Sequence, residues 1–402
     1  MTANLLKSEW ADLDAAELRL ILLELIGRPG QYDGRESNPD TFYLPQADSS
    51  CQIKLTFFDK GKTKPTFSDK KRLVAIEPGP AFDAAKWREV VEEIEGTGQC
   101  KVGRDWSFGS FRVTGSWLGK RSGVQILPPP ADAPSAPVEI AEHPFILEFP
   151  VIASERWPIT NFRRRRQHRQ LTFLLNILIE GHTTIQPRRT RHFWGITHEK
   201  DTLGHESKWV HEFYSANIGE RMRDELSPPA SEKLEEIDPE KYYAMFIQYG
   251  QGLQVPADLD DSICCYMRLS KADRDKFSIA GFWLDTASRQ RSLSYSASFA
   301  SLVIAIESLG NRSLSSSAAR FHDFIERHAT AASPERRRDM YALRNDILHG
   351  SGLMEMDQDA DFGWAPPEMN ERDLMDELWG VARLAIRNWL KNPSPTGPPP
   401  TG

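Results

Sequence analysis

The chain has 402 residues, of which 40% are apolar and 10% aromatic, enough apolar material for a sizeable core divided over two or three domains. Its formal net charge of −7 excludes a surface that is basic throughout, although an average conceals local basic faces. The four cysteines, Cys51, Cys100, Cys264 and Cys265, form no pair of CxxC units, which excludes a disulfide scaffold and fits a reducing cytosol.

Charge begins at Lys7 without a following apolar stretch, so no secretory leader is expected. The longest apolar runs, LILLELI from residue 20 and LTFLLNILI from 171, are shorter than the roughly 20 residues that span a bilayer. A cytoplasmic protein with no membrane partner is expected. Residues 8 to 26 read as a helix capped by Ser8, with Leu18, Leu20, Leu22, Leu23 and Ile26 apolar. CQIKLTFF and RLVAIEPG then read as strands, DAAKWREVVEEIE as a helix, and FRVTGSWLG with GVQILP as closing strands. Residues 1–127 therefore predict a mixed α/β module in a multidomain α+β protein, with a role the residues do not specify. PPPADAPSAP, residues 128–137, reads as a linker.

Residues 138–270 are expected to form a largely helical, basic middle region. FILEFPV suggests one strand there, and RRRRQHRQLTFLLNILIEG a helix whose arginines would crowd its positive N-terminal end. From residue 161 to 195, eight arginines (Arg163, Arg164, Arg165, Arg166, Arg169, Arg188, Arg189 and Arg191) oppose one acid, Glu180. Between residues 351 and 379, nine acids oppose Arg372. Such segregation favours a polyanion partner for the basic stretch, with Phe193 and Trp194 as stacking surfaces for bases. The alternative is a solvated face, or an ion-pair partner for the acidic block, which would then mimic nucleic acid and restrain activity.

Residues 271–392 predict a bundle of successive amphipathic helices: DKFSIAGFWLDTAS, SYSASFASLVIAIESLG, SSAARFHDFIERHA, PERRRDMYALRNDILH and NERDLMDELWGVARLAIRNWL. The second carries Phe299, Leu302, Val303 and Ile306 on one face. Residues 393–402 are proline-rich and read as a disordered tail.

In the fourth helix, Ser333 suits the N-cap, Pro334 the first turn and Gly350 the left-handed position after the C-terminus, with Met340, Leu343, Ile347 and Leu348 as the buried stripe. Arg344, Asn345 and His349 are not needed for that helix. The plain reading is a solvated arginine and a histidine capping the last turn. Arg163 and His168 share the five-residue spacing and read as accidental, within an electrostatic patch.

RNDILHG resembles the defining pattern of HEPN ribonuclease domains: Arg, a polar residue, three more, then His at the end of an amphipathic helix. The chain is similar to the Apea-like branch in LVIAIESLG, which carries Glu307 in the family's acidic position, and in Tyr341 shortly before the motif. The resemblance spans about residues 272–392. It implies a four- to five-helix bundle that pairs with a second copy, and metal-independent RNA cleavage without a cofactor. His349 would act as acid or base on the ribose 2′-hydroxyl and leaving oxygen, since histidine titrates near neutral pH. Arg344 would hold the phosphate, and Asn345 would orient phosphate or imidazole, with Glu307 and Tyr341 in support. Residues five apart on a helix lie about 140° apart, so a homodimer is expected to complete the site. By resemblance, the setting is defence or toxin-like growth arrest, with tRNA or other cellular RNA as substrate and an antitoxin or phage-derived trigger as partner. A non-catalytic RNA-binding or dimerising scaffold is the alternative.

Three other patterns fail. Asp357, Asp359, Asp361 and Glu368 have calcium-loop spacing, but Phe362 stands where glycine is needed and Pro366 with Pro367 is expected to obstruct the exiting helix. GHESKWVH has Trp209 where a zinc protease needs its second histidine, with His211 beyond it. Cys264 and Cys265 lack nearby partners for zinc. No metal site is expected.

Overall fold

The computed structural model describes residues 4–7, 10, 14–25, 41–45, 52–59, 71–78, 82–96, 98–109, 111–131, 133, 143–179, 186–187, 193–201, 204–211, 218–244, 252–291, 293–311, 313–329, 333–358 and 366–393. Two units emerge, each from separate segments: residues 1–103, 150–167 and 222–225 in the first, and 104–149, 168–221 and 226–402 in the second. The division does not follow the proline-rich stretch at 128–137, because the segment before it, 104–127, belongs with the C-terminal helices.

In the first unit, α1 (Ala15–Leu25) precedes an antiparallel sheet of β1 (Thr41–Pro45), β2 (Gln52–Asp59) and β3 (Lys71–Pro78), followed by α2 (Ala84–Ile94). Asp83 caps α2 by accepting from the Ala85 and Lys86 amides at 2.8 and 3.2 Å. Leu18, Ile21 and Leu22 of α1, Ile76 of β3, and Trp87 and Val90 of α2 share one apolar core. β2, β3 and α2 match the sequence reading; α1 starts at residue 15 rather than 8, with Ser8 and Ile26 outside the described residues, and β1 has no counterpart in that reading.

β4 (Cys100–Gly109) is unannounced in the sequence because Lys101, Arg104 and Asp105 interrupt any apolar alternation. It is followed by β5 (Trp117–Leu118), β6 (Gln125–Leu127), β7 (His143–Ile152) and α3 (Trp157–Leu178). In the second unit the sheet order is β4-β7-β6-β5, and β8 (Gln186–Pro187) also pairs with β4. The hairpin of β9 (Phe193–Asp201) and β10 (Gly204–His211) comes next, then β11 (Met222–Arg223), which pairs with Val102 and Gly103 of the first unit's part of β4. β12 (Glu235–Ile237), α4 (Pro239–Ala244) and β13 (Gln254–Pro256) follow, with β12 and β13 parallel. The expectation of a largely helical middle region is therefore corrected: outside α3, strands such as β7, β9 and β10 hold more of its described residues than the short helices α4 and α5 do.

The chain then becomes helical: α5 (Leu259–Arg268), α6 (Lys271–Gln290), α7 (Tyr295–Leu309), α8 (Ser317–His328), α9 (Pro334–His349), α10 (Glu355–Gln358) and α11 (Pro366–Lys391). Helix α7 is the axis of this bundle and packs against α6, α8, α9 and α11. Its Phe299, Leu302, Val303 and Ile306 are fully buried, as the apolar periodicity predicts. Pro366 and Pro367 do not obstruct α11; they occupy its first turn, where proline's missing N–H costs nothing.

Helix α3 runs close beside α6. A Cβ on Gly281 would lie 2.8 Å from that of Phe173, so only glycine fits there. Asn176 of α3 donates to Asp285 of α6 at 3.3 Å, and Arg289 pairs with the same carboxylate at 2.9 Å. Burial pushes the Asp285 carboxyl up to about 6 against the opposing pull of Arg289. Its folded value exceeds the unfolded one, so its contribution to stability is fully present below about pH 4 and is lost as pH rises through about 6. Thermal melts of Asp285→Asn against the parent should show that part of the decline between pH 4 and 7 removed; parallel curves would contradict the assignment.

Candidate functional site

Helix α9 is built as its end signals require. Ser333 accepts from the Arg336 amide at 3.2 Å and Pro334 opens the first turn. Gly350 adopts φ 71°, a conformation that glycine takes without strain. The Ser351 amide then donates to the Asp346 carbonyl at 2.9 Å, closing the helix. Of the expected buried stripe, Met340 is buried and Leu343 and Ile347 half-buried, but Leu348 is 47% exposed. Leu353, beyond the turn, is 54% exposed.

Arg344 faces the bundle. Its Nη2 donates to Glu307 Oε2 of α7 at 3.1 Å and its Nη1 to Asn345 Oδ1 at 3.0 Å, while the guanidinium lies 5.4 Å from the Tyr341 ring. Both members of the ion pair are mostly buried. A guanidinium has five N–H donors, so this anchorage leaves three uncommitted, although Nε is itself buried without a partner. Glu307 thus aims the guanidinium without exhausting it.

Tyr341 is buried between helices. Its ring packs against Phe321 and His322 of α8 at 5.4 and 5.8 Å, and its hydroxyl feels the charge of Glu307, whose Oε1 is buried without a hydrogen-bond partner. Burial, then the neighbouring Glu307 charge, pushes the hydroxyl above the ordinary tyrosine value and keeps it a donor. Ser317 Oγ accepts from Arg320 Nη2 at 2.6 Å. Burial and then Arg337 and Arg338 hold His322 below the ordinary histidine value, so it stands neutral beside Tyr341.

His349 behaves differently. It is exposed, and its imidazole has no hydrogen-bond or ion-pair partner among the described residues. Arg344, Asn345, Glu307 and Tyr341 are therefore brought together, and His349 is not brought to them. Ser317, Arg320 and His322 were missed by sequence reasoning. The available signal was indirect: Phe321, Phe324 and Ile325 mark the packed side of α8, and a helix packed beside α9 has to bring some polar residues to the motif.

The basic stretch needs correction. Helix α3 begins at Trp157, with Pro158 in its first turn and Thr160 bonded to Ser154, so the arginines do not crowd its N-terminus. Arg163, 6% exposed, pairs with Glu17 and Glu93 at 2.6 Å each. Arg164 is 2% exposed and donates to Asn161 at 2.8 Å, and Arg166 pairs with Glu17 and with Asp14. Burial takes Arg163 and Arg164 out of a track for phosphates, and Arg166, partly exposed, is engaged by two carboxylates. Arg165 and Arg169 are exposed. Arg188, Arg189 and Arg191 lie outside the described residues, and the side chains of Phe193 and Trp194 in β9 are not described. Of the acidic block, Asp376 pairs with Arg291 and Glu377 with Arg336, at 2.8 and 2.7 Å.

His168 is buried at 3% exposure. Its Nε2 lies 2.7 Å from Ser107 Oγ and its Nδ1 3.8 Å from Asp105, which also pairs with Arg221. This resembles a serine–histidine–aspartate set, but Ser107 is fully buried and Phe149 stacks on the imidazole. No substrate carbonyl reaches it, and it serves as a satisfied polar core.

Asp357 is spent on structure. It accepts from Ser294 Oγ and from the Tyr295 and Ser296 amides at 2.7–2.8 Å, capping α7. Burial raises its carboxyl, and those hydrogen bonds outweigh burial and hold it below the ordinary value. Asp359 and Asp361 lie outside the described residues, and the Glu368 side chain is not described. GHESKWVH forms β10, so helical zinc spacing does not apply. Cys100, Cys264 and Cys265 are free, and among the described residues no cluster of three or more histidine, cysteine or acidic groups could hold a metal ion. No described helix is long and apolar enough to cross a membrane. No family model, curated protein or solved structure matches the chain.

Proposed function

We propose that the C-terminal bundle is a HEPN-type endoribonuclease that works as a homodimer. The observation that carries this reading is the division of labour on α9: Arg344 is braced by Glu307, Asn345 and Tyr341, while His349 five residues on is exposed and uncommitted. A capping histidine would bond the last carbonyls, and a solvated arginine would not be aimed by a carboxylate. Leu348 and Leu353 flank His349 and present apolar surface that a second copy would cover. In such a pair, Arg344 of one copy binds the scissile phosphate as negative charge builds. His349 of the other removes the 2′-hydroxyl proton and returns one to the leaving 5′-oxygen. Asn345, already bonded to Arg344, keeps its amide N–H groups for the phosphate.

The products identify this chemistry. Purified protein incubated with end-labelled single-stranded RNA is expected to leave a 2′,3′-cyclic phosphate and a 5′-hydroxyl, with or without EDTA. A substrate carrying a 2′-deoxy residue at the cut should resist cleavage there, and chelator-sensitive cleavage would contradict the reading.

One observation favours a second reading. The Arg344–Glu307 pair also ties α9 to α7, as a non-catalytic dimerising scaffold would need. Under the ribonuclease reading, the N-terminal unit would sense a trigger, such as a phage-derived component, and release of the bundle would cut tRNA or other cellular RNA in the cytoplasm.

A further inference from the structure

The α8 surface beside the motif carries a second cation. Arg320 makes no ion pair among the described residues, and its one hydrogen bond to a described side chain is the 2.6 Å contact with Ser317 Oγ. Its position is fixed from behind. Gly310, at the end of α7, sits so close that a Cβ there would lie 2.9 Å from Arg320 Cβ and 3.2 Å from its carbonyl oxygen. Arg320 is tied to the motif through its own helix: it donates to Ser317, and the adjacent Phe321 and His322 pack on the ring of Tyr341, which lies 5.4 Å from the Arg344 guanidinium that Glu307 holds. Glu307 carries one negative charge against the guanidinium charges of Arg344 and Arg320, so among the described residues one of these positive charges has no acid beside it. A purely structural network would place that charge beside a carboxylate, as Arg336 is placed beside Glu377 and Arg291 beside Asp376.

We propose that Arg320 is a second phosphate-binding residue of the same site, gripping the phosphate next to the scissile one on a single RNA strand. Ser317, which accepts its hydrogen bond, and the packing of Phe321 and His322 on Tyr341 set its position relative to Arg344. This rests on the ribonuclease reading and assigns its substrate as a strand with at least two consecutive phosphates at the site, rather than a lone nucleotide. The neutral His322, on the same helix and against the Tyr341 ring, adds no competing charge.

The test separates binding from cutting. In a His349→Ala background, fluorescence anisotropy with a labelled single-stranded RNA of a dozen nucleotides or so measures affinity at several salt concentrations. Arg320→Gln retains an N–H donor for Ser317 without the charge. It is expected to melt with the parent, to bind roughly ten-fold more weakly and to lower the salt slope by about one. Arg338→Gln, on an exposed pair, is the control and should change little. In the otherwise wild-type chain, Arg320→Gln should weaken cleavage of the oligonucleotide more than that of a dinucleotide, which lacks the neighbouring phosphate. Unchanged affinity and salt slope, in a protein whose parent cuts RNA, overturn the proposal alone. If no variant binds or cuts RNA, the ribonuclease reading fails and the proposal falls with it.

Discussion

Alanine at His349 is expected to reduce RNA cleavage by about 10²–10⁴-fold, the usual worth of a positioned general acid or base. Because the side chain is exposed and unpartnered, the variant should melt with the parent. Alanine at Arg344 is expected to cost about 10²–10³-fold through lost charge stabilisation, and some stability as well, because Glu307 is left partly buried without its cation. Lysine at 344 should rescue little, since a point charge cannot reproduce a fork that already holds Glu307 and Asn345. The two variants also report on how the site is composed. If Arg344 of one copy works with His349 of the other, mixing two inactive variants regenerates one complete site in each mixed dimer, restoring roughly a quarter of the sites at equilibrium. If both groups act within one chain, mixing restores nothing.

The second large effect is on stability. Arg163→Ala is expected to destabilise the first unit by about 3–5 kcal/mol, because it takes the cation from the mostly buried Glu93 and one of two cations from Glu17, which keeps Arg166. Arg165→Ala and Arg169→Ala, on exposed residues, are expected to stay within about 0.5 kcal/mol. Urea melts of the three variants decide between a structural arginine cluster and a surface track. A track predicts small stability effects throughout and RNA affinity falling alike for all three. The cluster predicts one large effect, at Arg163.

These arginines show what the sequence leaves out. Charge density along the chain says where cations are, but Arg163 is buried by Glu17, 146 residues away, and by Glu93, and neither is marked as its partner by any local pattern. β4 was invisible for the same reason: Arg104 and Asp105 are tolerated in a strand because Glu148 and Arg221 meet them. By contrast, α9 was legible to the residue. Ser333, Pro334 and Gly350 act through their own backbone geometry, so its limits are local facts. The apolar face of α7 was legible because a 3.6-residue period survives in any bundle. At the site, Arg344, Asn345 and His349 could be named from one helix, and Glu307 and Tyr341 from resemblance. Ser317, Arg320 and His322 required knowing which helix lies beside α9.

The most direct measurement is total-RNA integrity in cells on induced expression, comparing the parent with Arg344→Ala, His349→Ala and Arg338→Ala. Arg163→Ala is a poor control here, since its loss of stability would imitate loss of activity. The account predicts RNA fragmentation and growth arrest with the parent and Arg338→Ala, and intact RNA with the other two at equal protein levels. Fragmentation that persists in His349→Ala, or intact RNA with the parent both with and without phage challenge, would contradict it.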